Sequence, residues 1–489
     1  MIKQKFMIFI LILLLSFLIT SCDKAITAVH TTTEIDIFID EWSKKDIKTD
    51  SLLPYFEGTV VLYFIDDVQI YDLNQHNKPL YDQYRTLEVE IYGSDATMTK
   101  YYDIYILSEY SPRQKYEIRI NGVDLEFLER DNFMESVISI NQEDKIILEN
   151  IDSRIRGRGN STFYAHEKKS LKVEFSESVE IMGLNRSSSF NLVAMHGDKS
   201  LMRDALAHLL SGMISLEKIK NIRYVSLYIN DQYHGLYLLI EDRKHIKIDE
   251  STEELQFALE IDQRVDWEPW RYEEIPFFQV QDLFYVIKRP FNPSVEEYDS
   301  ISSYIENLVF ELRNGQLDEN KVDILNWVKF IFINEYFKNV DSWGLSVFMY
   351  KQANVPLKFG PVWDFDLSLG NADYVNDEYN SPEGYWLINH PVASLVKYSM
   401  QISEMENAYN EFIMNFYNEK FPIWIKVIDS LYLAVKDYAL ENFSRWPILN
   451  EYVWPNPEFL LTETYDEQFE FVRYFLHERL LWMSKDIYN

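Results

Sequence analysis

A single cysteine, Cys22, in 489 residues excludes an intrachain disulfide and any zinc site built on several thiolates. Glycine and proline are scarce, 14 and 15 residues against 34 tyrosines and 31 phenylalanines, which excludes a collagen-like or disordered chain and leaves an aromatic-rich globular one. Positive charge is also in deficit. The 47 Lys and Arg against 79 Asp and Glu give a net charge of −32, a field that repels a phosphate backbone and excludes nucleic acid as the main partner. A nucleotide site would need its own local basic patch. No H-E-x-x-H spacing occurs among the nine histidines and no G-x-S-x-G elbow is present, so the simplest zinc- and serine-hydrolase readings fall away.

The longest apolar run, Met7 to Ile19, follows Lys3 and Lys5 and precedes Thr20-Ser21-Cys22. It is short for a membrane span and has the layout of an export signal over residues 1–22. Ile19-Thr20-Ser21-Cys22 resembles a bacterial lipobox, which implies cleavage before a lipidated Cys22 and an extracytoplasmic chain anchored to a bacterial membrane.

The length accommodates two or three domains. Residues 23–57 are polar and read as a tether with one short helix. Over 58–150 apolar residues alternate, as in Leu87 to Ile91 and in Tyr116 to Ile120 before Asn121-Gly122, which predicts a β-rich domain or extension with a hairpin. Residues 151–370 mix strands with helices. Ser170 to Phe175 is a predicted strand, and Ser200 to Leu210 a helix capped by Asp198 or Ser200. Val225, Leu227 and Ile229 form one strand face, Asn230-Asp231 turns, and Gly235 to Ile240 returns. A helix from Val322 to Lys338 with one apolar stripe delivers Asn339 and Asp341, and strands at Val347 to Tyr350 and Leu357 to Phe359 lead into Gly360-Pro361-Val362-Trp363-Asp364-Phe365-Asp366. Residues 371–489 read as helical, for example Ala408 to Phe416 and Trp424 to Leu440. The fold class is α+β.

Three segments could carry chemistry. In Asp364-Phe365-Asp366, a short extended backbone would turn both carboxylates to one face, which suits a hard divalent cation, though a buried aromatic turn with two solvated acids fits equally. Asp341, past a buried helix and upstream of those acids, matches a phosphoryl-transfer site, while a plain turn is the commoner role for such a residue. Arg156-Gly157-Arg158-Gly159-Asn160-Ser161-Thr162, followed by Lys168, Lys169 and Lys172, is the most basic stretch of an acidic chain. Its spacing is neither a Walker A loop nor G-x-G-x-x-G, and a basic surface turn is the plain alternative.

Taken together and in this order, these segments resemble the CotH (spore coat protein H) kinase family. The likeness runs from Arg156 to Phe163 and Lys168 to Phe175, through Met182-Gly183-Leu184, Leu201-Met202-Arg203-Asp204, Tyr228 to Asn230, Tyr233 to Tyr237 and Glu241, to Asn339-Val340-Asp341-Ser342 and Gly360 to Asp366. The resemblance implies an atypical protein-kinase-like fold with an N-terminal β-rich extension and a helical C-terminal region. It also implies ATP with Mg²⁺ or Mn²⁺, and phosphorylation of Ser or Thr on a protein at the cell surface or envelope. By the same resemblance Asp341 is the catalytic aspartate, Asp364 the metal ligand with Asp366 assisting, and Lys172 the phosphate-pairing lysine, with Lys169 second. Glu241 is its charge partner or a nucleotide contact, and Arg156, Gly157, Gly159, Asn160 and Lys288 fall in the nucleotide set. Two departures stand out: Ser346 occupies the place, five residues after Asp341, where ordinary kinases carry a metal-binding asparagine, and Phe163 stands where Trp is frequent. Two other readings compete: an inactive kinase-like scaffold that binds a protein or polysaccharide, and, less favoured, a carboxylate-pair glycosidase.

Overall fold

In a computed structural model the described residues are 31–43, 46–48, 53–56, 60–65, 68–70, 83–107, 116–142, 145–182, 184–216, 222–242, 252 and 254–487. The export segment with Cys22, and Gly183, lie outside them. The chain divides into two compact units, 1–111 and 112–489. Among the described residues no helix is long and apolar enough to cross a membrane.

In the first unit, helix α1 (Thr32–Ser43) lies against a sheet of β1 (Asp46–Lys48), β2 (Val60–Ile65), β3 (Val68–Ile70), β4 (Gln83–Tyr92) and β5 (Thr97–Leu107), in the spatial order β1-β5-β4-β2-β3. The alternation Leu87, Val89, Ile91 places these side chains on one face, where they pack with Ile104 and Ile106 and bury Ile35 and Ile39 of the helix. Part of the segment expected to be a tether thus contributes a packed helix and an edge strand, because a helix with apolar residues four apart has a face to bury.

The second unit begins with β6 (Tyr116–Asn121), β7 (Met134–Gln142), β8 (Lys145–Arg158), β9 (Ser170–Val179), β10 (Ser187–Val193), β11 (Ile222–Ile229) and β12 (Gln232–Glu241). They close into a barrel, β10-β12-β11-β6-β7-β8-β9, in which β6 and β11 pair in parallel. Closure leaves no exposed sheet edge. Residues 112–150, expected with the 58–150 module, therefore belong to this barrel. The Asn121-Gly122 turn does not make a tight hairpin, since β7 starts only at Met134 after a short 3₁₀ turn at Leu125–Phe127. Asn230 and Asp231 do, with φ of 48° and 63°, the double left-handed conformation a two-residue I′ turn demands.

Strand alternation decides what faces the site. Val173 lies opposite Ile155 and Phe190, and Ile118 opposite Ile140 and Leu227, a buried apolar layer filling the barrel. The intervening residues point outward, so Arg156, Lys172 and Asn191 form one row across β8, β9 and β10.

A second, antiparallel sheet contains β13 (Phe257–Ile261), β14 (Phe277–Val280), β15 (Leu283–Arg289), β16 (Val347–Lys351) and β17 (Lys358–Phe359), ordered β14-β15-β13-β16-β17. It shares one core with helices α2 (Arg203–Met213), α3 (Val295–Arg313), α4 (Ile324–Tyr336), α5 (Ser403–Asn415), α6 (Phe421–Arg445) and α7 (Tyr465–Asp486), joining residues such as Leu259, Tyr285, Ile305, Ile331, Trp424 and Leu476. The α+β class holds. Helix α4 is shorter than Val322 to Lys338 because Asp323 Oδ1 caps it, accepting from Asn326 N at 3.0 Å, and Lys338 turns left-handed at φ 46°. It is also buried on nearly every face rather than along one stripe, as Trp327, Val328, Phe330 and Ile333 attest. Helix α2 starts at Arg203, not Ser200, because Leu201 sits at φ 57°, while Asp198 Oδ2 still receives the Arg203 N–H at 2.9 Å.

Candidate active site

A cavity of about 420 Å³ lies between the outward row of the barrel and the turns that follow α4 and β17. Its wall holds six Lys or Arg and six Asp or Glu, a concentration of basic residues in a chain that has 47 against 79.

Asp341 reaches the cavity from the turn beyond α4, where its carbonyl accepts the N–H groups of Gly344 and Leu345 at 3.1 and 2.9 Å. Asp364 and Asp366 reach the same cavity from the loop after β17. Phe365 between them is buried edge-on against Phe337, 5.4 Å between ring centroids. The acids share a side as expected, but not through an extended strand: Asp364 is left-handed at φ 54°. Asp204, in the first turn of α2, accepts the Phe365 N–H at 2.7 Å, and the neighbouring Arg203 donates Nε to the Ser368 carbonyl at 2.9 Å. The Arg203-Asp204 pair thus brackets the acidic loop. Ser346 Oγ donates to Asp364 Oδ2 at 2.8 Å, so the position five residues after Asp341 does meet the expected metal aspartate, through a hydroxyl.

The acids form one electrostatic cluster. Burial pushes Asp204 up to about 7, opposed by the Phe365 N–H and reinforced by Asp364 and Asp198. Burial likewise carries Asp341 to about 7; Asp364 adds to this and Arg264 opposes it. Asp366 is driven well above its usual range, first by burial and then by Asp204, Asp364 and Asp341. Hard oxygen donors crowded until they resist ionisation are a donor set suited to a divalent cation. Among the described residues no three His, Cys, Asp or Glu side chains form a ready metal cage.

On the opposite wall Lys172 Nζ lies 2.9 Å from Asp242 Oδ2 and 3.6 Å from Glu174 Oε1. The expected partner, Glu241, is elsewhere, accepting from Asn185 N and from Asn185 Nδ2 at 2.9 Å. The reason is strand register. Asn191 stands opposite both Lys172 and Ile240, so Asp242, two beyond Ile240, shares the outward face, and Glu241 takes the other. Arg156, Gly159 and Asn160 line the cavity. Gly157 does not: a Cβ there would meet the Phe163 ring at 2.0 Å, so this glycine makes room for the aromatic rather than for a phosphate. Lys169 is spent on the carbonyls of Phe163 and His166, both at 2.5 Å. Lys288 pairs with Glu260 at 2.8 Å on the second sheet, away from the cavity wall.

Asp204, Asp242 and Arg264, which had no expected role, also lie at the cavity, beside Arg158 of the basic segment. The one local signal was an Arg-Asp pair opening an otherwise apolar helix at 203–204.

A family model described as CotH kinase protein matches residues 155–483. The chain belongs to the CotH kinase protein family. The match covers the barrel from the end of β8, the second sheet and the helices as far as α7, and includes the cavity residues except Arg130. Membership points to a kinase, and with it to ATP and a divalent metal as reactants. No curated protein matches the chain.

Proposed function

We propose that this CotH-family chain is an atypical protein kinase that transfers the terminal phosphate of ATP to Ser or Thr. The observation that carries the reading is that Asp341, Asp364 and Lys172, 192 residues apart at the extremes, face one cavity. Phosphoryl transfer is largely positioning and charge neutralisation, which needs an acidic metal side, a basic phosphate side and a carboxylate near the acceptor hydroxyl. In this assignment Asp341 orients the hydroxyl and takes its proton. Asp364 and Asp366 would hold Mg²⁺ or Mn²⁺, which would neutralise phosphate charge, with Ser346 orienting Asp364. Lys172, fixed by Asp242, and Arg158, 5.5 Å over the Trp363 ring, supply positive charge to the phosphates.

The fold is read as kinase-like, the barrel over one side of the cleft and the helical part over the other. The chain is read as an exported lipoprotein anchored through Cys22, acting on a surface or envelope protein. The test is transfer of radiolabelled phosphate from ATP by purified 23–489. Asp364→Ala should abolish metal-dependent transfer, and unchanged transfer would refute the assignment.

A further inference from the structure

The strand pair beside the Asp341 turn positions a cation that the assignment above leaves without a role. Ile261, the last residue of β13, stands opposite Val347 of β16 in an antiparallel pair, so the chain beyond Ile261 runs back along Ser346, Leu345 and Gly344. Gln263 N donates to the Gly344 carbonyl at 2.9 Å, and a Cβ on Gly344 would meet Gln263 Cγ at 2.8 Å. Arg264 therefore follows a residue packed directly on the turn that begins at Asp341, and both side chains line the cavity.

The guanidinium is held by one edge. Nε and Nη2 donate to Asp262 Oδ1 and Oδ2 at 2.7 and 2.8 Å, a bidentate fork, and Nη2 lies 3.7 Å from Glu260 Oε1. Asp262 is itself fixed, almost wholly buried and accepting the Tyr272 hydroxyl at 2.6 Å. The charge of Arg264 is thus balanced, and what it has to spare is geometry. Nη1 makes no hydrogen bond among the described residues, and it is not sealed in the interior, since the side chain keeps 17% of its surface exposed. A guanidinium has five donors, so an edge locked on a carboxylate leaves the opposite corner able to meet another oxygen.

Position places that corner at the chemistry rather than at the far end of a nucleotide. Lys172 and Arg158 belong to the barrel, whereas Arg264 belongs to the second sheet, with Asp341 and the Asp364 loop. The segment it flanks also carries Ser346, whose hydroxyl meets Asp364 at 2.8 Å. Arg264 makes no ion pair with Asp341, yet it is near enough to oppose the rise that burial imposes on that carboxyl. An oxygen of a bound group can therefore stand between the guanidinium and the carboxylate. A strut for the turn would need only the edge on Asp262.

We propose that Arg264 is a catalytic residue, donating Nη1 to a peripheral oxygen of the phosphoryl group as it is transferred. This rests on the phosphoryl-transfer reading. In the step, the acceptor oxygen bonds to the γ-phosphorus and its proton passes to Asp341, while the bond from phosphorus to the β–γ bridging oxygen breaks and its electron pair leaves with ADP. The peripheral oxygens carry their charge between acceptor and ADP at that moment, and a donor already clamped by Asp262 needs no reorganisation to meet it.

The experiment compares wild type, Arg264→Lys, and a double variant combining Asp262→Asn with Arg264→Gln, all as residues 23–489. Lysine keeps a charge beside Asp262 but has no fork to pair there and reach the phosphoryl group as well, and the double variant strands no buried acid. Initial rates of radiolabelled phosphate transfer from ATP give kcat and KM. Calorimetry gives the affinity for MgATP and for MgADP with aluminium fluoride, a mimic of the phosphoryl group in transfer. Both variants should bind MgATP within about threefold of wild type and lose about thirtyfold in kcat and in affinity for the fluoride complex, the scale of one hydrogen bond to a charged group. Should one variant fail to fold, the other decides. Wild-type kcat in either variant overturns the proposal, and so does an equal loss of affinity for MgATP and the fluoride complex, because a strut would weaken both alike. If wild type itself transfers no phosphate, the kinase reading fails and the proposal falls with it, an outcome distinct from an active enzyme indifferent to Arg264.

Discussion

Replacing Asp341 with Asn should stabilise the metal-free protein while disabling it. The carboxyl of Asp341 is moved from 3.8 to about 7 by burial and by Asp364. A shift of about three pH units corresponds to about 4 kcal/mol of cost when the group is ionised in the folded chain but free in the unfolded one. Asp341 is partly open to the cavity, so water screens some of this, and the amide must itself be accommodated; a net gain of about 1–3 kcal/mol remains, or a few degrees in midpoint. The pH sense follows from the direction of the shift. Between about pH 4 and 7 the folded state holds a proton the unfolded state has released, so wild-type stability falls as pH rises through that window and the deficit is complete above it. The variant should show a shallower decline. Thermal unfolding from pH 4 to 8 in EDTA, read by circular dichroism, checks this, beside phosphate transfer, which should fall at least a hundredfold if Asp341 is the base. A variant that melts below wild type at pH 8 without metal, or that keeps its activity, would refute the reasoning.

Lys172→Met should remove the 2.9 Å ion pair with Asp242 at the cavity wall and raise the KM for ATP at least tenfold, measured by initial rates, while Lys169→Met, whose lysine is held by the carbonyls of Phe163 and His166, should leave KM within about twofold. Arg479→Met should strand Glu335, whose carboxylate it meets at 3.0 Å with both side chains fully buried, and lower stability by about 3–5 kcal/mol in urea unfolding. Glu335 also accepts the N–H groups of Trp386 and Ile388, so loss of the pair should loosen the support beneath the Asp341 turn as well.

Elements governed by neighbouring residues were legible in the sequence. Asn230-Asp231 reads as a tight turn and is one, and the run from Ile324 to Tyr336 reads as a helix and is one, though buried on more faces than the single stripe expected. The family likeness joined the basic, catalytic and acidic segments before any contact was seen. Ends of elements were less legible, because Leu201 and Asp364 take left-handed conformations that nothing in their own side chains demands.

What the sequence by itself determined is the α+β character, the order of chemical segments and the need for a local basic patch. Only the tertiary structure decided which charges meet. Glu241 and Asp242 are adjacent in the chain, yet a strand sends adjacent residues to opposite faces, and the register of β12 against β10 gave Asp242 to Lys172. The same holds for Asp204 beneath Phe365, 161 residues apart, and for Arg130 and Arg271, which both donate to Asn160 Oδ1. Such pairings depend on barrel closure and on packing between distant segments, which no window of local sequence contains.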